Sequence, residues 1–265
     1  MMALALLAGV PVLMWVVQSV MLKLHGMPLR WRLSNEDVPD AIRKTGRITT
    51  QLGLLSVILV FPLVIGSDIA THYGSLLPRD HTMRLAALGA ATAILILTLL
   101  FIIWLEYGCV AVDIHGNPRK RMRRLLMLVP SSLLGAFAEE FVFRGVIQFD
   151  LQRSTTMPTM AVVMLSALLF AAAHYVRKVK RYWTFPGHLA LGVLLCVAYA
   201  ATGSLWLPLG IHAGGIFVTL GVRPYLRYRG PAWVTGASIF PFAGIPGIAG
   251  LLGLAAIIAW KAQTF

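Results

Sequence analysis

Five side chains in this sequence stand where chemistry would use them and where solvation alone would not put them. Glu139, Glu140 and Arg144 fall inside the apolar run Leu125 to Phe149, and His174 and His212 fall inside two later apolar runs. Charge at such depth costs on the order of 2.5–3.5 kcal/mol per residue even on insertion scales, so it marks function. Glu140 and Arg144 sit four apart on one helix face, where they can neutralise each other. Glu139 points about 100° round the helix and has no such partner. One carboxylate is clamped and the other is left to work. A centre of two histidines and one or two carboxylates suits the activation of water, and the same set suits a metal with an open position.

Small neighbours make the meeting of these residues sterically possible. Gly135 and Ala136 lie one turn before the glutamates, and His212 is flanked by Gly210, Ala213, Gly214 and Gly215. Such residues let helices approach closely in a membrane. Phe170 lies one turn before His174 on the same face. His188 reads as a boundary residue at the start of its run. His25, His72, His81 and His115 lie in loops or at run ends.

The elements that must carry these residues are membrane helices. Of 265 residues 58% are hydrophobic and 12% charged, with a mean hydropathy of +0.78; a soluble domain would have about twice that charged fraction. Eight runs are long enough, or nearly so, to cross a bilayer that takes about twenty helical residues. They are Met1–Leu22, Thr50–Gly66, Leu85–Cys109, Leu125–Phe149, Thr159–Val176, His188–Thr202, Leu205–Val222 and Phe242–Trp260. Met1–Leu22 has no basic leader and no small-residue cleavage site, and reads as a retained span. The expected fold is an all-α polytopic membrane protein of about eight transmembrane helices enclosing a polar intramembrane site. The whole chain, 1–265, reads as one transmembrane domain with its motifs in a core, 119–220. Cys109 and Cys196 are too few and too embedded for a disulfide framework.

A net charge of +13 would suit nucleic acid, but its distribution argues against that. The loops after the first, third, fifth and seventh runs hold 18 of the 23 basic residues, which puts those loops in the cytoplasm and both termini outside. The clusters Arg119–Arg124 and Arg177–Arg181 also suit anionic lipid headgroups. The first of these loops, Lys23 to Thr49, has room for a short interfacial helix.

The pattern Glu139-Glu140-x-x-x-Arg144, then Phe170-x-x-x-His174, then His212 after Thr202-Gly203-Ser204-Leu205-Trp206-Leu207-Pro208, resembles the CAAX-protease and bacteriocin-processing family of intramembrane proteases. Gly145 and Gln148 fit the first motif as well. The resemblance runs from about Arg119 to Leu220. It implies an endopeptidase acting on a membrane-associated peptide or protein, lipid-modified or not, in a bacterial-type plasma membrane. In that reading Glu139 is the base that activates water, His174 assists it and His212 helps to hold the oxyanion. Glu140, Arg144, Phe170 and Gly215 shape the site. No cofactor is expected; the variant reading is zinc on Glu139, His174 and His212.

One departure from the family pattern is Ile216, where an Asn or Asp would stand four residues after the last histidine. Loss of an oxyanion donor costs on the order of 10²–10³ in rate. The expectation is that a break at Gly214–Gly215 frees a backbone N–H to serve instead. The alternative reading is a non-catalytic relative that binds or chaperones membrane proteins. A small transporter is a third, but it would call for an internal repeat, and the sequence has none.

Overall fold

A computed structural model describes residues 2–29, 39–79, 82–175, 184–236 and 240–263. The cluster Arg177–Arg181, His81, Glu36 and Asp37 lie outside the described residues. Each of the eight apolar runs is a helix. They are α1 (Met2–Leu24), α2 (Asp40–Val64), α4 (Thr82–Glu106), α5 (Pro118–Glu140) with its continuation, α7 (Thr159–Tyr175), α8 (Phe185–Thr202), α9 (Trp206–Val222) and α11 (Ile245–Gln263). Among the described residues six helical stretches are long and apolar enough to cross a membrane; α7 is shorter, and α9 has 17 residues. The short helices α3 (Ile69–Leu76), α6 (Phe149–Ser154) and α10 (Ala232–Thr235) complete the helical order. The fold is all-α and polytopic, apart from one small ribbon.

Three local expectations are corrected. The second run starts at Asp40, not Thr50, after Pro39; ten residues of the expected loop are the first turns of α2, and no separate interfacial helix lies among the loop's described residues. The fourth run begins at Pro118, not Leu125. Asn117 accepts a hydrogen bond from the Arg119 N–H at 2.8 Å, Pro118 opens α5, and helix continues past Pro130 to Ser154, 37 residues in all. At 1.5 Å per residue this rod is about 55 Å long, against about 30 Å of hydrocarbon, so part of it projects beyond the bilayer. Arg119–Arg124 lie at the N-terminal end, where positive charge opposes the helix dipole, so capping does not account for them. Finally, α9 runs unbroken through Gly214 and Gly215, and the break expected there is not found.

Small residues bring the helices of the core together. Gly89 of α4 faces the backbone of Leu207 and Ile211, and Gly214 of α9 faces Ala90; a methyl at Gly89 or Gly214 would sit 2.6 or 2.7 Å from a carbonyl oxygen. That approach seats α9 against α4. Gly192 likewise seats α8 against Ala167 of α7. The outer faces show the reverse pattern of a soluble protein: Leu126, Leu133 and Leu134 on α5 and Leu88 and Leu95 on α4 are exposed, as lipid-facing residues would be.

The loops meet in same-side pairs. β1 (Val110–Val112), after α4, pairs antiparallel with β2 (Leu226–Tyr228), after α9, with Val110 opposite Tyr228; Asp113 and Arg227 form an ion pair beside them. At the other end the Leu205 N–H donates to the Leu76 carbonyl at 2.9 Å, and Trp206 Nε1 donates to the Pro78 carbonyl at 3.2 Å. Loops that the basic-residue pattern assigns to one side are therefore neighbours.

Candidate active site

The first motif ends in an irregular helix. From Phe141 to Gln148 the backbone makes a π-helical stretch, and all eight of its residues are buried. π segments inside α-helices are rare and cluster at functional sites. Here the wider turn is held from two sides, by α3 and by α8. The His72 ring of α3 donates from Nε2 to the Gly145 carbonyl at 3.0 Å. Arg144 donates to the Gly192 carbonyl at 3.2 Å, and Gln148 Nε2 donates to the Cys196 carbonyl at 3.1 Å. Those two acceptors are one turn apart on α8, so Arg144 and Gln148 grip one face of it.

The two glutamates diverge as their spacing predicts. Glu140 is fully buried, and its Oε1 accepts from Arg144 at 3.1 Å and faces His212 Nδ1 at 2.7 Å. A carboxylate paired with Arg144 accepts, so His212 Nδ1 carries the proton. Glu139 is 30% exposed, and its Oε2 lies 3.6 Å from His174 Nε2 and 3.7 Å from His212 Nε2. His174 Nδ1 lies 2.8 Å from the Phe170 carbonyl, and a carbonyl only accepts, so that nitrogen also holds its proton. Both histidines thus turn Nε2 toward Glu139. Spans four, five and seven of the sequence reading meet at this point. Among the described residues no group of three or more His, Cys, Asp or Glu could hold a metal ion.

Phe170 is the floor. It is fully buried, with the Arg144 guanidinium 4.8 Å from its ring centre and the His174 and His212 rings at 4.6 and 6.0 Å. A cation over an aromatic face is stabilised by the ring quadrupole, which helps Arg144 stay charged away from water. Above the centre lies a cavity of about 580 Å³ bounded by α4, α7, α8, α9 and α11, with Glu139, His174 and His212 in its wall. Gly215 and Ile216 line it too. A methyl at Gly215 would meet nothing within 4 Å. Ile216 brings a hydrocarbon side chain one turn beyond His212.

Two features escaped the sequence reading. His188 is no boundary residue: it is 3% exposed, lines the cavity and stacks on His174 with ring centres 4.4 Å apart. Its spacing from Thr184, whose carbonyl lies 2.8 Å from His188 Nδ1, repeats the Phe170–His174 spacing and was the available signal. His72 is no loop residue either; it buttresses the π segment.

Fold and site together define an all-α polytopic membrane protein with a polar centre inside its helical core. Comparison with known proteins narrows this. Residues 121–218 match the family model described as Type II CAAX prenyl endopeptidase Rce1-like, in line with the resemblance read from the motifs; that segment contains Glu139, Glu140, Arg144, Phe170, His174 and His212. The chain is also similar to the uncharacterized protein YpbD of Bacillus subtilis (strain 168), with 28% identity over 132 residues, 49% of this chain and 64% of that protein. The chain thus spans just under two thirds of that relative's length. No solved structure matches it.

Proposed function

We propose that this chain is an intramembrane endopeptidase that hydrolyses a peptide bond in a membrane-associated protein or peptide, in the manner of CAAX prenyl endopeptidases. The observation that carries the proposal is the placement of Glu139 Oε2 between two imidazole Nε2 atoms at the wall of a largely apolar cavity. Glu139 takes a proton from water, and the hydroxide attacks the scissile carbonyl. His212, held through Nδ1 by Glu140, turns Nε2 toward the reacting carbonyl and, with a proton on that nitrogen, hydrogen-bonds the oxyanion. The proton on Glu139 passes to the leaving amine, directly or through His174 Nε2. Base catalysis of this kind contributes typically 10²–10⁴ in rate.

The substrate lies in the membrane, with its apolar side chains or a lipid chain in the aliphatic part of the cavity. Arg119–Arg124 rest on anionic lipids of the cytoplasmic leaflet of a bacterial-type plasma membrane, with both termini outside. A binding or chaperoning role is favoured by one observation, the hydrocarbon of Ile216 beside His212.

The test uses the full chain in proteoliposomes with a pooled set of apolar peptides, some prenylated at a cysteine, and product detection by mass spectrometry. Glu139→Gln is expected to abolish cleavage by at least about 10² with unchanged thermal stability. Near-normal cleavage by that variant removes Glu139 as the base, and no cleavage by the wild type favours the binding role. Stoichiometric zinc in active protein, with loss of activity on chelation, would recast Glu139, His174 and His212 as ligands.

A further inference from the structure

The proposed reaction leaves one buried imidazole of the cavity without a task. The His188 ring is fixed through Nδ1 by the Thr184 carbonyl at 2.8 Å and lies nearly parallel to the His174 ring, at 27°. Phe240 and Phe242 meet it edge-on, with ring centres at 4.9 and 5.3 Å and interplanar angles of 70° and 89°. The two phenylalanines are 5.3 Å apart. All four rings line the cavity, whereas the walls supplied by α4 and α11 consist of Ala, Ile, Leu, Pro and Gly. The cavity is therefore chemically divided. An aromatic corner adjoins His174, an aliphatic hall occupies the remainder, and Glu139 lies against both catalytic imidazoles.

We propose that the corner formed by His188, Phe240 and Phe242 is a specificity subsite that takes an aromatic side chain of the substrate beside the bond being cleaved. The proposal rests on the endopeptidase reading and deepens it. All three rings line the cavity, and an entering ring can make edge-to-face contacts with them that an aliphatic side chain of equal size cannot. Such contacts are worth roughly two- to ten-fold in affinity beyond the area buried.

Two measurements separate this subsite from the activity it serves. The first is binding to the Glu139→Gln protein in nanodiscs, using fluorophore-labelled apolar peptides with Phe or Leu scanned through the central positions. The best Phe peptide is expected to bind roughly three- to ten-fold tighter than its Leu counterpart. That ratio should fall to about one when His188→Ala or Phe242→Ala is added, and should be retained with His188→Phe, which keeps a ring in place. The second is the residue preference of the wild type on the pooled peptides, where Phe, Tyr or Trp should be enriched beside the cut. Binding discrimination without cleavage upholds the subsite and sinks the endopeptidase reading. Cleavage with no aromatic preference, or a Phe-to-Leu ratio unchanged in both alanine variants, overturns the subsite and leaves that reading standing.

Discussion

Replacing Glu140 by Gln is the sharpest perturbation the structure offers, because it removes one charge and almost no volume. Glu140 and Arg144 are both 0% exposed and 3.1 Å apart. Taking away one member of a fully buried pair leaves the other charge uncompensated, which costs about 3–5 kcal/mol. Here the cost should fall near the lower end. Arg144 keeps its bond to the Gly192 carbonyl and the Phe170 ring beneath it, and the Gln carbonyl can still accept from His212. About 3 kcal/mol corresponds to a midpoint lowered by roughly ten degrees in a domain of this size. The assay is thermal unfolding in a fixed detergent, read by an intrinsic tryptophan signal. The double variant Glu140→Gln with Arg144→Met is the control, since removing both charges is often close to neutral. It should recover most of the lost midpoint while recovering no activity. If Glu140→Gln unfolds within about two degrees of the wild type, or the double variant is as unstable as the single one, the pair does not sustain this core and the assignment fails.

Two further outcomes are expected. Cysteines at Lys120 and Ser154, which lie near opposite ends of the 37-residue rod, should react with an impermeant reagent from opposite faces of a sealed membrane; labelling from one face would overturn the topology. Ile216→Asn should leave cleavage equal to the wild type or raise it, because the side chain faces the cavity one turn from His212. Activity created by that substitution in a protein silent on its own partners would assign the natural chain to the binding role.

Much of the scaffold was legible in the sequence because membrane insertion is itself a sequence-level event. Apolar length is a local quantity, and all eight runs it marks are helices. The Glu140–Arg144 pair was legible for the same reason, being set by one turn of one helix. What escaped depends on partners distant in the chain. The ribbon joins Val110 to Tyr228, and three-residue strands carry too little periodicity to announce themselves. His188 looked like a boundary residue because its role is set by His174, Phe240 and Phe242, none of them near it in sequence. The expected break at Gly214–Gly215 erred in the other direction. Glycine weakens an isolated helix, but Gly214 is fitted to the backbone of Ala90, so close packing holds the helix where propensity would loosen it.

The π segment is where these levels join. Glu139 and Glu140 are the last two residues of α5, and adjacent helical residues diverge by about 100°. One therefore faces the cavity while the other enters the core. Arg144 must then reach back to Glu140 and also across to the Gly192 carbonyl of α8. The π turn between them begins at Phe141 and ends where Gln148 grips Cys196. A π turn leaves carbonyls out of the α pattern, and His72 answers one of them at Gly145. In this arrangement the charge of Arg144 reaches His212 through Glu140, and Glu139 meets both imidazoles without being tied by either. A substitution at His72 would thus act on the centre through the helix that carries both carboxylates, although His72 itself touches neither.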